Sequence, residues 1–158
     1  MSESKLFTED DKKFMRRALE LARKGEGLAH PNPMVGAILV RDDEIVGEGY
    51  HLFANIKHAE IVAIEDAGTA AQGSTLYCSL EPCCHYGRTP PCTNAIIQAG
   101  IARAFIAIVD NDIRVHGRGI EQLREAGIEV IVGVCEPEAY ELNRDYFISR
   151  MGEAGIQS

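Results

Sequence analysis

The sequence predicts a three-layer α/β domain: a mixed five-strand sheet with helices on both faces. Three observations predict it. Short apolar runs rich in β-branched residues recur at 35–40, 45–50, 75–79, 104–109 and 128–134. From the third run onward, successive runs are separated by helix-like stretches of crossover length, which demands parallel pairing. The first two runs are joined only by Arg41-Asp42-Asp43-Glu44, a turn that makes them an antiparallel hairpin.

The elements follow in order. Thr8-Glu9-Asp10-Asp11 resembles a capping box with Asp in place of Glu or Gln, and Phe14, Ala18, Leu21 and Ala22 then recur at helical spacing until Gly25 and Gly27. His30-Pro31-Asn32-Pro33 is a rigid irregular segment, because each proline restricts itself and the residue before it. After the hairpin, AEIVAIEDA at 59–67 reads as a helix closed by Gly68. The strand at 75–79 runs into Glu81-Pro82-Cys83. Helices at 93–99 and 119–126 close on Gly100 and Gly127, and Pro137 begins one last helix carrying Leu142, Tyr146, Phe147 and Arg150. Tyr140, Tyr146 and Phe147 are read as core in preference to an interface.

At 158 residues the chain is the size of one domain, and 46% hydrophobic with 25% charged residues excludes a disordered chain. The net charge of −8 and only ten aromatics, five Tyr and five Phe, argue against a nucleic-acid partner. No apolar run approaches the ~20 residues of a membrane span. The opening MSESKLFTEDDKKF is polar and acidic, without the pattern of a targeting segment, so a cytoplasmic location is expected.

Five cysteines, an odd count, do not read as a disulfide framework, and three of them fall within PCCHYGRTPPC. Cys78 and Cys135 lie in apolar stretches and read as small buried hydrophobes. The remaining chemistry centres on His58-Ala59-Glu60 at a helix start, Pro82-Cys83 after a strand and Cys92 before a helix. Open α/β sheets place their sites at such ends. One imidazole and two thiolates suit Zn²⁺ in softness and charge, and helix amino ends favour the thiolate form. Three protein ligands leave a fourth position for water, the pattern of a catalytic centre. Glu60 is placed to take a proton from that water and return it to substrate. Zinc deaminases combine an H-x-E segment with P-C-x-x-C; here eight residues, CHYGRTPP, separate Cys83 from Cys92. Cys84 and His85 stand beside Cys83 as competing ligands, and Pro82 favours Cys83 by aiming its thiol inward.

HPNPMVGAILV, HAE, LEPCCHYGRTPPCTNAI and GRGIEQLREAGIEV together resemble the deaminase half of the bifunctional riboflavin-biosynthesis deaminase/reductase. The spacer ending in HYGRTPPC is the most specific part, since it separates that family from cytidine and deoxycytidylate deaminases. The resemblance implies a cytidine-deaminase-like fold over residues 1–151, with 152–158 as a tail. It implies hydrolytic deamination of 2,5-diamino-6-(ribosylamino)pyrimidin-4-one 5′-phosphate, releasing ammonia. It gives His58, Cys83 and Cys92 as zinc ligands and Glu60 as proton shuttle. Asn32, His51, His85, Arg88, Thr89 and Asp110 fall on substrate-pocket positions, with Arg88 and Thr89 suited to the ribose phosphate. A homo-oligomer, dimer or tetramer, is also implied.

Two departures stand against the resemblance. The family usually carries Asp-Pro-Asn-Pro after the fourth strand, whereas this chain reads Asp110-Asn111-Asp112-Ile113. A carboxylate at 112 only accepts hydrogen bonds and adds negative charge near a phosphorylated ligand. The sequence also stops where the reductase half would begin. Related pyrimidines and cytidine-type nucleosides or nucleotides are therefore alternative substrates. A closed structural zinc site, with Cys84 or His85 as fourth ligand, is the non-catalytic alternative.

Overall fold

Thr8 and Asp11 cap each other at the start of α1 (Glu9–Arg23): Asp11 N–H donates to Thr8 Oγ1 at 3.2 Å and Thr8 N–H to Asp11 Oδ2 at 2.8 Å. The computed structural model describes residues 6–26, 33–51, 57–84 and 90–157, with side chains as far as residue 150. After α1 come β1 (Gly36–Arg41), β2 (Glu44–Tyr50) and α2 (Ala59–Ala67), the last followed by a 3₁₀ turn at Gly68–Ala71. Then β3 (Thr75–Cys78), α3 (Cys92–Gln98), β4 (Arg103–Ile106), α4 (Arg118–Glu125) and β5 (Glu129–Val132) alternate, and α5 (Glu136–Leu142) and α6 (Arg144–Gln157) finish the chain. Among the described residues, no helix is long and apolar enough to cross a membrane.

The sheet order is β2-β1-β3-β4-β5. β1 pairs antiparallel with both β2 and β3, while β3, β4 and β5 run parallel. This is the expected mixed five-strand sheet. Its period-2 alternation divides the core. Ala37, Leu39, Leu76, Cys78, Ala104, Ile106 and Val130 face α2, α3 and α4, against Ala59, Ala63, Ile96 and Leu123. Ile38, Val40, Tyr77, Phe105 and Ile131 face the other way, against Met15, Ala18 and Leu19 of α1 and Ala139 of α5.

Two features of this packing place the site. In the parallel part of the sheet, Cys78, Ile106 and Val132 stand side by side at the strands' carboxyl ends. The segments that leave those ends therefore converge with the amino ends of α3 and α4. On the antiparallel side, Gly47 and Gly49 leave β2 without side chains where α2 crosses it. A Cβ at Gly49 would collide with the Ala59 carbonyl oxygen, and one at Gly47 with that of Ala63. That close approach presses the start of α2, with His58 and Glu60, against the sheet.

The single last helix expected from Pro137 onward is in fact two helices, broken at Asn143. The cause is a long-range contact. Asn143 Oδ1 accepts from Met34 N–H at 2.7 Å and its Nδ2 donates to the Met34 carbonyl at 2.7 Å. The side chain thus pairs with the chain entering β1, and its backbone leaves the helical region at φ −120°. Phe147 is buried and its ring stacks on Tyr140 at 5.5 Å, so these aromatics pack internally as expected.

Candidate metal centre and active site

Cys83 leaves the carboxyl end of β3, Cys92 is the first residue of α3, and His58 is the residue immediately before α2. Three separate elements therefore deliver three ligand atoms, which lie within 4.8 Å of one another. His58 Nδ1 is 3.1 Å from Cys92 Sγ and 3.7 Å from Cys83 Sγ. Cys92 N–H donates to Cys83 Sγ at 3.3 Å. Hydrogen bonding from the Cys92 thiol, followed by His58, pulls the Cys83 thiol well below its usual value. Cys92 is pushed up in return, chiefly by the same hydrogen bond with Cys83 and then by burial. The pair is thus set up as soft anionic donors with a nitrogen at hand, which fits zinc.

Cys84 is placed differently. Its thiol donates to the Arg114 carbonyl at 3.6 Å, away from the three-residue cluster. Adjacent cysteines point to opposite sides of an extended segment, and only one can meet His58.

Glu60 lies in the first turn of α2 and is 3% exposed. Burial pushes its carboxyl up to about 7, against a smaller downward pull from His58. The Cys78 thiol, which donates to the Leu80 carbonyl at 3.1 Å, lies beside the Glu60 carboxyl and draws it down slightly. Cys78, read from sequence as plain core, therefore forms the floor beneath Glu60. Nothing in an apolar strand such as TLYCSL marks that role, because it depends on which helix crosses the strand.

His51 is also brought to the cluster. It is 4% exposed, and its ring stands edge-on to His58 with centroids 5.0 Å apart. Its backbone N–H is held by the Val35 carbonyl at 3.1 Å. Asp110 lies buried just beyond β4, accepting from Tyr146 Oη at 2.9 Å and from Asp112 N–H at 2.9 Å. Burial raises its pKa above the ordinary aspartate value. Its carboxylate is thus held within the fold. Asn32, His85, Arg88 and Thr89 lie outside the described residues.

The carboxylate at 112 is compensated locally. Asp112 Oδ1 accepts from Arg114 Nε at 3.0 Å and from Arg114 N–H at 3.0 Å, and Oδ2 accepts from Arg114 Nη2 at 2.7 Å. Arg150 Nε stands 3.7 Å away. Hydrogen bonds from Arg114 hold the Asp112 carboxyl down at about 2. The carboxylate charge at 112 is therefore matched by two guanidinium groups, one of them 38 residues further along the chain.

Residues 8–108 match the family described as the cytidine and deoxycytidylate deaminase zinc-binding region. The riboflavin biosynthesis protein RibD of Aquifex aeolicus is 55% identical over 142 residues, covering 90% of this chain and 40% of that protein. Among solved structures, RibD of Acinetobacter baumannii superposes with a TM-score of 0.87 at 44% identity, over 90% of this chain and 40% of that one. A diaminohydroxyphosphoribosylaminopyrimidine deaminase/5-amino-6-(5-phosphoribosylamino)uracil reductase from Thermotoga maritima gives 0.84 at 44% identity, over 92% and 42%. The chain spans about two fifths of the length of these relatives.

Proposed function

The chain belongs to the zinc-binding cytidine and deoxycytidylate deaminase family, and on that premise we propose that it is a zinc-dependent hydrolytic deaminase. Its substrate is 2,5-diamino-6-(ribosylamino)pyrimidin-4-one 5′-phosphate, and ammonia is released in riboflavin biosynthesis. One observation carries the reading: His58, Cys83 and Cys92 converge within 4.8 Å while the carboxyl of Glu60 is buried close by. The substrate rests on the relatives that share about half of its residues along most of its length and are named for riboflavin biosynthesis. We assign the catalytic unit to residues 1–151, with 152–158 as a tail.

His58, Cys83 and Cys92 would hold the zinc. When bound there, zinc acts as a Lewis acid that makes water a usable nucleophile at neutral pH. The chain's own residues do the rest. Glu60 accepts a proton from water on a carboxyl oxygen and delivers it to the ring nitrogen next to the amino-bearing carbon. It then takes the second proton from the hydroxyl added to that carbon and passes it to the amine, which leaves as ammonia as the C–N bond breaks and the carbonyl forms. Burial keeps that exchange away from bulk water, and the Cys78 side chain lies beside the carboxyl. His51 braces the His58 ring edge-on. Asn32, His85, Arg88 and Thr89 remain the proposed substrate contacts, together with His51 and Asp110.

The Asp112 pairing favours one second reading, a related pyrimidine as substrate. A carboxylate tied to Arg114 and Arg150 offers a ligand guanidinium donors where the family presents an amide. A single assay separates the readings: ammonia release from the diaminopyrimidine ribotide, cytidine and deoxycytidylate under identical conditions. Turnover of the ribotide is expected, and turnover of cytidine or deoxycytidylate alone would overturn the assignment. Absence of turnover on all three, with a cobalt-substituted sample whose spectrum reports four protein ligands, would establish a structural zinc module instead. A cytoplasmic location and a dimer or tetramer complete the proposal, and cell fractionation and light scattering test them.

A further inference from the structure

The turn after β3 contains a buried carboxylate with no part in the chemistry above. Glu81 is 3% exposed and lies two residues before Cys83. Its Oε1 accepts from the backbone N–H of Asp110 at 3.1 Å and of Gly117 at 2.9 Å. Its Oε2 accepts from Gly119 N–H at 3.0 Å and from Ile120 N–H at 3.2 Å. Among the described residues it has no ion pair. Main-chain dipoles alone compensate its charge.

Three of those donors belong to the amino end of α4, whose first N–H groups have no partner within the helix. A local side chain ordinarily caps such an end. Here the capping position is Gly117, at φ +84°, and it has no side chain to offer. The cap comes instead from 36 residues upstream. The contact is tight on both sides, since a Cβ at Gly119 would collide with the Pro82 carbonyl oxygen. On the far side of the turn, Thr93 N–H donates to the Cys83 carbonyl at 3.2 Å. Cys83 is therefore gripped between α3 and α4, and Glu81 makes the α4 half of the grip.

We propose that Glu81 is a positioning residue for the metal centre: by binding the start of α4 and Asp110 N–H, it fixes the Pro82-Cys83 turn so that Cys83 Sγ meets His58 and Cys92. The inference rests on the reading of those three residues as zinc ligands. It also ties the loop from 110 to 117 to the metal turn, because a single carboxylate spans both.

The test is zinc affinity, measured on the full chain by competition with a chromophoric chelator, with metal-free melting temperature recorded in parallel. Glu81→Gln replaces one acceptor by an amide NH₂ that would face N–H donors, and should weaken zinc about 10- to 100-fold, the range for outer-shell partners of metal ligands. Glu121→Gly, at an exposed position of the first turn of α4, weakens the same helix without touching Glu81 and should leave zinc affinity unchanged. If E81Q binds zinc as tightly as wild type, or if E121G weakens it equally, Glu81 is a helix cap only and the inference is overturned. Should E81Q fail to fold, Gly119→Ala decides, since its Cβ displaces Pro82 and crowds the Glu81 carboxylate without removing it; wild-type affinity in G119A would overturn the inference. Failure of the wild-type chain to bind zinc would instead overturn the metal assignment itself, and this inference with it.

Discussion

Glu60 and Glu81 are equally buried, each 3% exposed, yet their surroundings are opposite. Glu81 meets four backbone N–H groups from two distant segments. Glu60 has beside it its own backbone and the Cys78 thiol, which already donates to the Leu80 carbonyl, and burial raises its pKa to about 7. A carboxylate with every lone pair engaged is a fixed hydrogen-bond acceptor that organises the chain around it. A carboxylate left short of donors can gain or lose a proton without tearing the fold. The two regions divide the labour accordingly, one holding the site and the other serving the reaction.

The largest expected effect breaks or confirms that division directly. Glu60→Gln should lower ammonia release by about 10²- to 10⁴-fold, the usual worth of a positioned proton carrier. Zinc content should not change, and melting temperature should stay level or rise, because a neutral amide escapes the desolvation cost of the carboxylate. Steady-state kinetics with metal analysis on the same sample checks all three. Near-wild-type turnover would dissolve the contrast between the two glutamates.

Glu81→Ala should do the reverse. Removing the acceptor strands buried N–H groups, each costing about 1–3 kcal/mol, so a total loss of at least about 3 kcal/mol is expected. Urea denaturation of the metal-free chain measures it. A loss below about 1 kcal/mol, the cost of one stranded N–H, would mean that the four hydrogen bonds do not act together.

The two glutamates also differ in how visible they are in sequence. His58, Glu60, Cys83 and Cys92 could be picked out because short spacings and strand or helix ends are local properties, and the alternation of strands and helices gave the sheet for the same reason. Glu81 carries only one signal, an acidic residue beside an apolar strand, and its donors lie 29 to 39 residues away. The break at Asn143 depends on Met34, 109 residues earlier. The matching of Asp112 by Arg150 and the placing of Cys78 beneath Glu60 are likewise products of packing. Side-chain contacts across the fold have no periodicity, so no pattern along the chain announces them.

Each glutamate is seated by a glycine, and this gives an intermediate test. Gly119 admits the Pro82 carbonyl at the Glu81 side, and Gly49 admits the Ala59 carbonyl at the Glu60 side. Gly49→Ala inserts a methyl group against helix backbone that cannot rotate aside, so a destabilisation of about 2–3 kcal/mol is expected. Because the displaced element is the first turn of α2, turnover should fall further than stability alone accounts for. Thermal unfolding and kcat measured together test the claim, and a G49A chain with normal kcat would detach Glu60 from that strand contact.

The smallest effect concerns Asp112, a carboxylate intermediate between the two glutamates, since it is buried but paired with cations. Its folded pKa is depressed to about 2, chiefly by Arg114 hydrogen bonds, against about 3.9 for an unperturbed aspartate. A depressed carboxylate contributes stability that is fully present above the unfolded value and is lost as pH falls through the folded one. Asp112→Asn should therefore cost about 1–2 kcal/mol at pH 7, the lower figure allowing for solvent screening of the 61%-exposed Arg114. The difference between D112N and wild type should hold down to about pH 4 and then shrink towards pH 2. Denaturation curves at pH 7, 4 and 3 on metal-free protein follow it. A difference that stays constant over that range would place the worth of Asp112 in its hydrogen-bond geometry, which the amide disturbs at any pH, and would make it a structural residue of the kind Glu81 is.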